Sequence, residues 1–452
     1  MTYHNAVKYV KSAANPVRSE GVSVKLNYLC SLIGEPHKRL NYIRMAGSNG
    51  KTICSAMLSS VLVKSGYDVC TLNMSPADDL KENIRYNTNP VSIEDFTELV
   101  SEVHTAYNTL KKRLEDARAS IGEDGEVAEE YAAIPRSLID GYPKTAEPMG
   151  SEILLLCALL LCQRRGCKLC IIESAHNEAD PSLFLKPPFA AVICGTIPSD
   201  DRKQITKIKS YIRKGVSEVV SAPQDTYAYK IISDTCAAIN CRLTVPVRSA
   251  LTVKQLSLMG TSFVYNSEAY KLSLCGRFQT ANAITVIETV KMLRRYGYNI
   301  STASEKLGMA DVRIPSRFEV LSVNPTVIAD STYKDEAVET VCESLFDFSE
   351  YTGRYISLCL PCDGPLIENY LNMLEARGYT VVQIYTVCQN EEEQERQLSN
   401  IKKRFKVVCF NTAKAASKQM LSALSSEDTL LVSGNNAFTA KLRLEIMRYL
   451  EF

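Results

Sequence analysis

The residues best suited to do chemistry stand together in a short glycine-containing loop. The loop is Ala46-Gly47-Ser48-Asn49-Gly50-Lys51-Thr52, and an apolar-periodic segment begins at Ile53. At such a strand–loop–helix turn, backbone N–H groups and the helix N-terminus cradle phosphate oxygens, the lysine neutralises them, and the Thr hydroxyl reaches Mg²⁺. A chance glycine turn would not explain the Lys-Thr pair at the junction. The loop therefore predicts nucleotide binding, as a P-loop variant with Met45 at its usual first glycine.

Acidic residues follow two predicted strands on the side where this loop is expected. Glu173 ends the strand over 168–172, and Asp200-Asp201 follow the strand Ala190–Cys194. Because ligands bind beyond the carboxyl ends of parallel strands, these carboxylates are candidate Mg²⁺ ligands. Solvated loop acids would have the same pattern, so position alone leaves both interpretations open. The cation-dense run over 202–214, which includes Lys209, indicates by itself a solvated helix face.

The elements that must position these residues alternate between strands and helices. The strand before the loop, the helix Ile53–Val63 and the strand Val69–Met74 form a βαβ unit. The alternation continues, which predicts an α/β fold with a mostly parallel sheet and helices on both faces. A helix over 151–165 is apolar all round and should be deeply buried. Residues 117–150 have no clear period and predict an insertion or a mobile loop over the site.

A second α/β module begins after Ile314-Pro315-Ser316, and a patch of short antiparallel strands over 245–275 precedes it. A chain of 452 residues exceeds one ordinary core. We therefore predict an ATP-binding domain over 1–311 and a smaller Rossmann-like domain over 312–452. The strands predicted for the second domain cover 317–323, 326–330, 355–360, 380–385, 406–410 and 429–432.

Composition excludes several classes of function. The net charge of +1 favours neither nucleic acid nor an anionic membrane as a partner. The longest apolar run, Ile153–Cys162, is about half of a membrane span, and no signal-peptide pattern begins the chain. The sixteen cysteines, including the C-x-x-C pairs Cys167/Cys170 and Cys359/Cys362, are interpreted as small buried hydrophobes. Metal or redox chemistry at these pairs is the less favoured alternative, and a reducing cytoplasmic location is expected.

Seven segments in chain order resemble those of folylpolyglutamate synthase, often also dihydrofolate synthase, a branch of the Mur ligase superfamily. The resemblance spans nearly the whole chain. The segments are Leu32-Ile33-Gly34-Glu35-Pro36-His37, the loop 46–52, Ser75-Pro76 with Glu82-Asn83-Ile84-Arg85, Lys209 ahead of Ser210-Tyr211-Ile212-Arg213-Lys214-Gly215, Gly276-Arg277-Phe278-Gln279-Thr280-Ala281-Asn282, Pro315-Ser316-Arg317-Phe318-Glu319-Val320, and Asp428-Thr429-Leu430-Leu431-Val432-Ser433-Gly434.

The resemblance implies a two-domain ligase. ATP phosphorylates a folate-like carboxylate, and the amine of glutamate displaces phosphate, with Mg²⁺ and lysine neutralising charge. No nucleic-acid or membrane partner is implied, and we expect a monomer. The implied catalytic residues are Lys51 and Lys209, the latter commonly carbamylated in the family. The implied nucleotide-binding residues are Gly47, Ser48, Asn49, Gly50, Lys51, Thr52, Asn282, Arg317 and Asp330. The implied metal ligands are Thr52, Glu173, Asp201 and Lys209.

Some positions differ from the family pattern. The family's Asp-His is Asp200-Asp201, the hinge His is Phe278, and the segments 174–180 and 330–335 lack most of the family's residues. The phosphate and first-metal groups are retained, whereas groups facing the substrate and the adenosine differ. Two alternatives to a folate ligase therefore stay open. One is a Mur-type ligase for another acid and amine, and the other is a non-catalytic ATP-binding paralogue, against which the retained Lys51, Thr52 and Glu173 argue.

Overall fold

The computed structural model describes residues 1–13, 22–47, 49–74, 79–174, 180–198, 201–331 and 335–450. Ser48, Ser75-Pro76 and Asp200 lie outside the described residues, as do residues 175–179 and 332–334 of the two segments that differ from the family pattern. The described chain divides into two compact units, one of 1–248 with 282–308 and one of 249–281 with 309–452. In the described residues, no helix combines the length and the apolar character needed to cross a membrane.

Strands and helices alternate along most of the described chain. The strands are β1 (Tyr42–Ala46), β2 (Val69–Asn73), β3 (Ile84–Tyr86), β4 (Asn89–Pro90), β5 (Leu169–Glu173), β6 (Ala190–Ile193), β7 (Glu218–Ser221), β8 (Arg242–Thr244), β9 (Leu251–Ser257), β10 (Gly260–Tyr265), β11 (Glu268–Leu272), β12 (Glu319–Val323), β13 (Thr326–Asp330), β14 (Tyr355–Pro361), β15 (Thr380–Val387), β16 (Val407–Phe410) and β17 (Thr429–Ser433). The helices are α1 (Tyr3–Ser12), α2 (Val22–Leu32), α3 (Lys51–Lys64), α4 (Ile93–Ala119), α5 (Arg136–Asp140), α6 (Gly150–Arg165), α7 (Arg202–Tyr211), α8 (Thr226–Ala238), α9 (Phe278–Arg295), α10 (Thr302–Asp311), α11 (Asp335–Asp347), α12 (Ser349–Thr352), α13 (Gly364–Ala376), α14 (Glu391–Lys402), α15 (Ala413–Ala423) and α16 (Asn436–Leu450).

The first unit is built on a sheet with the strand order β4-β3-β2-β5-β1-β6-β7-β8. The strands from β2 to β8 in this order pair in parallel, and β3 and β4 extend the β2 edge antiparallel. β1 lies between β5 and β6, and all five of its residues are buried. A strand buried on both faces needs an apolar run, which is the pattern that precedes the loop apart from Arg44. The predicted mostly parallel sheet is confirmed.

Helices cover both faces of this sheet. On one face, α4 and α6 pack with Cys70, Leu72, Cys170 and Ile172 in one apolar cluster. On the other, Thr52 of α3 contacts β5 through Glu173. Residues 153–162 of α6 are buried throughout, as their apolar run predicts.

The segment 117–150 differs from the expected mobile loop. It forms short helices at Glu129–Tyr131, α5 and Lys144–Ala146, and the latter two pack beside α4. Leu138 and Ile139 are buried in the same apolar cluster as α6. Its apolar residues are too few and too widely spaced to give a helical period, yet they suffice to attach the segment to the core.

The second unit holds a three-stranded antiparallel sheet, β11-β10-β9, and a six-stranded sheet, β12-β13-β17-β14-β15-β16. β12 pairs antiparallel with β13, and the remaining pairs are parallel. Leu258 and Cys275, beside the small sheet, join the apolar core beneath the large one. Residues 249–281 are therefore compact with the C-terminal module, and the predicted domain boundary at residue 312 stays a prediction. The predicted pair of α/β modules is confirmed as the fold class.

Candidate functional site

The loop between β1 and α3 is shaped by two glycines in conformations that other residues avoid. Gly47 has a φ of +120°, and a Cβ there would lie 2.1 Å from the backbone oxygen of Cys194. Gly50 has a φ of +80° and precedes the first residue of α3. Both positions require glycine for the backbone, and Gly47 also requires it for space.

Met45 explains why the first P-loop glycine is absent. It lies within β1, in register with Glu173 of β5 and Val192 of β6. The chain is therefore still a buried central strand at position 45, and the turn begins only at Gly47. A glycine at position 45 would weaken the strand without serving the turn.

Lys51 and Thr52 are the first residues of α3, and their side chains contact the glycine turn and the carboxylate of Glu173, respectively. Lys51 Nζ donates to the backbone oxygen of Gly47 at 2.7 Å, so the ammonium lies over the turn. Thr52 Oγ1 donates to Glu173 Oε2 at 2.9 Å. The predicted Lys51, Thr52 and Glu173 thus meet at the carboxyl edge of the sheet, although Glu173 is far from the loop in sequence.

Glu173 is a carboxylate in an apolar environment, with only 3% of its surface exposed. Burial raises its pKa, while the hydrogen bond from Thr52 and the charges of Lys51 and Arg85 act in the opposite direction. A buried carboxylate beside a Thr hydroxyl provides hard oxygen donors of the kind that Mg²⁺ prefers. These two residues therefore fit a magnesium ion, whose charge would offset the cost of ionising Glu173.

Asn282 lies against the loop from α9. A Cβ on Gly50 would be 2.5 Å from Asn282 Oδ1, and the Cys54 thiol contacts the same oxygen at 3.8 Å. Asn49 is placed from another side, because a Cβ on Gly195 would be 2.8 Å from its backbone oxygen. The structure therefore brings Gly47, Asn49, Gly50 and Asn282 together with Lys51 and Thr52.

Arg317 and Asp330 lie together in the second unit. Asp330 ends β13, and its Oδ2 accepts a hydrogen bond from the backbone N–H of Phe318 at 2.7 Å. Arg317 Nη1 donates to the backbone oxygen of Ser331 at 3.3 Å. These hydrogen bonds join the end of β13 to the Pro-Ser-Arg-Phe-Glu turn. The contact of Arg317 and Asp330 with nucleotide stays a prediction.

Asp201 and Lys209 occupy opposite ends of α7. Asp201 Oδ1 accepts from the backbone N–H of Gln204 at 3.0 Å and caps the helix, whereas Lys209 is exposed near the last turn. Within the described part of the chain, no hydrogen bond or ion pair joins either residue to Thr52 or Glu173. Their role at a second metal stays a prediction.

The sequence analysis did not predict one buried ion pair, which lies beside the site. Arg44 of β1 and Asp180 are each 1% exposed and pair at 3.0 Å, and the Tyr211 hydroxyl donates to Asp180 at 2.7 Å. Burial opposes ionisation of Asp180, but Arg44 and the hydrogen bonds from Ser182 and Tyr211 hold its pKa below the ordinary value. This network attaches the chain at Asp180 to the strand that leads into the loop. The position of Arg44 inside an apolar strand could have predicted the pair, because a buried charge requires a buried partner.

Comparison with known sequences finds distant relatives. No protein-family model matches the chain. A probable bifunctional folylpolyglutamate synthase/dihydropteroate synthase of Haloferax volcanii is 22% identical over 366 residues, 77% of this chain and 39% of the relative. The dihydrofolate synthase/folylpolyglutamate synthase of Bacillus subtilis is 22% identical over 339 residues, 71% of each chain. The chain thus spans well under half of the haloarchaeal relative and most of the bacterial one.

Solved structures share the fold over the full length. Folylpolyglutamate synthase from Thermotoga maritima superposes with a TM-score of 0.75 at 18% identity, covering 98% of this chain and 96% of that one. Folylpolyglutamate synthetase from Lactobacillus casei has a TM-score of 0.75 at 16% identity and full coverage of both chains. A folylpolyglutamate synthase complex with AMPPCP and folate has a TM-score of 0.71, covering 98% and 99%. The chain is thus distantly similar in sequence to folylpolyglutamate and dihydrofolate synthases, and it shares the fold of the solved folylpolyglutamate synthases.

Proposed function

We propose that the chain is an ATP-dependent ligase that adds L-glutamate to a folate through an acyl phosphate. The observation that carries this proposal is the meeting of Lys51, Thr52 and the buried Glu173 at the end of β1. A glycine turn without function would not need a lysine over it, nor a buried carboxylate beside the next hydroxyl. The names of the relatives supply the folate and the glutamate.

In the proposed reaction, a carboxylate oxygen of the folate attacks the γ-phosphorus of ATP, and ADP leaves. The glutamate nitrogen then attacks the acyl carbon, phosphate departs with that oxygen, and the nitrogen loses a proton. Lys51 would exchange the Gly47 carbonyl for phosphate oxygens and stabilise the charge that develops on them. Thr52 and Glu173 would hold Mg²⁺, which neutralises phosphate charge when bound. Asp201 and a carbamylated Lys209 would hold a second ion, and Asn282, Arg317 and Asp330 would contact the nucleotide.

A second candidate function differs in the acid and the amine that the ligase would join. The residues at 174–180 and 331–335 differ from the family pattern, which favours as second candidate a Mur-type ligase for another acid and amine. All sixteen cysteines are free thiols, as expected in a reducing compartment, and we propose that the protein acts in the cytoplasm as a monomer.

The test uses the purified full chain with Mg-ATP and a panel of acids and amino acids. Phosphate release and the mass of the product are followed together. The proposal expects release that depends on pteroate or a folate plus glutamate, and a product heavier by one glutamyl unit. Release only with other pairs would establish the second candidate. If no pair turns over, and ATP binding is lost in Lys51→Ala, the chain is an ATP-binding paralogue and the proposal is overturned.

A further inference from the structure

Three buried thiols converge on the far side of the first sheet from the phosphate loop. Cys70 of β2, Cys162 of α6 and Cys170 of β5 have Sγ atoms that all lie within 4.8 Å of one another. All three side chains are almost wholly buried. Within the described residues, this is the one group of three or more histidine, cysteine or acidic side chains close enough to share a metal ion.

The fold, and not sequence proximity, assembles this thiol cluster. Cys70 and Cys170 stand opposite each other on adjacent parallel strands, so their side chains share one face of the sheet. That face is covered by α6, which brings Cys162 over the pair. The turn from α6 to β5 then contributes Cys167, which is only partly buried and whose thiol lies near that of Cys162. A fourth sulfur with access to solvent thus adjoins the three.

The spacing of the sulfurs suits a thiolate-bound cation. Four sulfurs about 2.3 Å from a tetrahedral zinc ion lie about 3.8 Å apart, which small side-chain rotations could reach from the observed separation.

We propose that Cys70, Cys162 and Cys170, with Cys167 as the fourth ligand, form a structural site for a thiophilic d¹⁰ cation, with Zn²⁺ as the physiological ion. Four thiolates are a usual ligand set for structural zinc. On binding, each thiol that is still protonated releases its proton to solvent, and four metal–sulfur bonds form. The ion would join α6 and its following turn to β2 and β5.

The cluster is separate from the candidate ligase site. Cys170 and Glu173 are three positions apart on β5, about 10 Å along the strand, and an odd offset places their side chains on opposite faces. Metal at the thiols would therefore stabilise the sheet without touching substrate. The inference does not depend on the proposed function, because its readout is metal content.

The experiment starts from the full chain, purified under reducing conditions and stripped of metal by dialysis against a chelator. Zn²⁺ is returned in competition with a chromophoric chelator, and bound metal is counted by elemental analysis after gel filtration. We expect one tightly held Zn²⁺ per chain and a higher melting temperature. Co²⁺ in its place should give the intense near-ultraviolet charge-transfer band and the visible bands of a tetrahedral thiolate site.

Variants of the ligands and of a matched cysteine identify the site. Cys70→Ala and Cys170→Ala should lose stoichiometric Zn²⁺, whereas Cys157→Ala should retain it, because Cys157 is equally buried on α6 but outside the cluster. Circular dichroism checks the fold of each variant. Should the buried variants not fold, Cys167→Ser, at a partly buried turn, is expected to weaken Zn²⁺ binding by at least about tenfold.

Three outcomes would overturn the proposal. The first is a reduced, folded chain that retains no Zn²⁺ at equilibrium. The second is a Zn²⁺ ion whose affinity is unchanged in Cys170→Ala and Cys167→Ser. The third is a chain that, when isolated from reducing cells with acid trapping of its thiols, is two hydrogens lighter because two of the four cysteines are joined in a disulfide.

Discussion

Glu173 and Glu152 are both buried, and their opposite expected responses to the same substitution provide the sharpest test of the site. Glu173 faces Thr52 across the loop, and its pKa is raised chiefly by burial. When burial raises the pKa of a carboxyl group in the folded state, the group lowers the stability of the fold at pH values above that pKa, because its charged form is then buried. Glu173→Gln keeps the shape and the acceptor oxygen and removes the charge. We therefore expect the variant to be more stable at neutral pH in the absence of nucleotide.

We expect the free energy of unfolding to rise by about 0.5–2 kcal/mol, which is the range typical of single stabilising substitutions. Because 1 kcal/mol shifts the melting temperature of a domain of 150–250 residues by about 2–4 °C, the rise should be at most a few degrees. Ligase turnover should fall by about 10²–10³, which is the loss seen when one charge-stabilising group is removed from a transition state. The dependence of turnover on Mg²⁺ concentration should shift to higher values as well. Differential scanning fluorimetry and phosphate release measure these quantities on the same preparation.

Glu152→Gln is the matched control. Glu152, in the first turn of α6, is fully buried, and its Oε2 pairs with Lys25 Nζ at 2.8 Å and accepts from the Tyr107 hydroxyl of α4 at 2.7 Å. Removing this charge leaves the buried Lys25 without its anionic partner, which costs about 3–5 kcal/mol. This variant should lose stability and keep its turnover per folded molecule. A Glu173→Gln variant that is less stable than the parent and equally active would refute the assignment of Glu173 to the site.

The remaining predictions concern the frame around the loop. Arg44→Met should lower the free energy of unfolding in urea by about 3–5 kcal/mol, since it leaves Asp180 charged and buried. Adding Asp180→Leu should recover part of that loss. Equal stability of the single variant and the parent would contradict this. Because the pKa of Asp180 is depressed, its contribution to stability is complete above the unfolded value of about 3.9 and is lost as the pH falls through the folded value. Unfolding followed from pH 7 downwards should show that loss in the parent and not in the double variant. Gly47→Ala should cost about 1–3 kcal/mol from its backbone conformation alone and should abolish nucleotide binding, because the new Cβ meets the Cys194 oxygen. Gly66→Ala is the control, because Gly66 also has a positive φ, of +82°, but a Cβ there would have nothing within 4 Å. Equal ATP affinity in the two variants would contradict the reasoning.

Much of the site follows from local pattern. An apolar strand, a turn of glycines and a Lys-Thr pair at a helix start are defined by neighbours in the chain, so the loop and its elements were predictable. Glu173 was also predictable, because the carboxyl ends of parallel strands meet at one edge. The register of Met45 with Glu173 turns that rule into the observed contact between Thr52 and Glu173.

What the sequence could not decide are the contacts between elements that meet only after folding. The partner of Arg44, the attachment of Leu138 and Ile139 to the core, and the compact grouping of 249–281 with the C-terminal module all depend on packing between distant segments. The cysteines show the same limit, since the Cys167/Cys170 pair looks like two small hydrophobes in a row. The alternation of side chains along β2 and β5, and the helix above them, bring Cys70 and Cys162 to Cys170. Periodicity specifies which face a residue occupies, but only the tertiary structure determines what lies opposite that face.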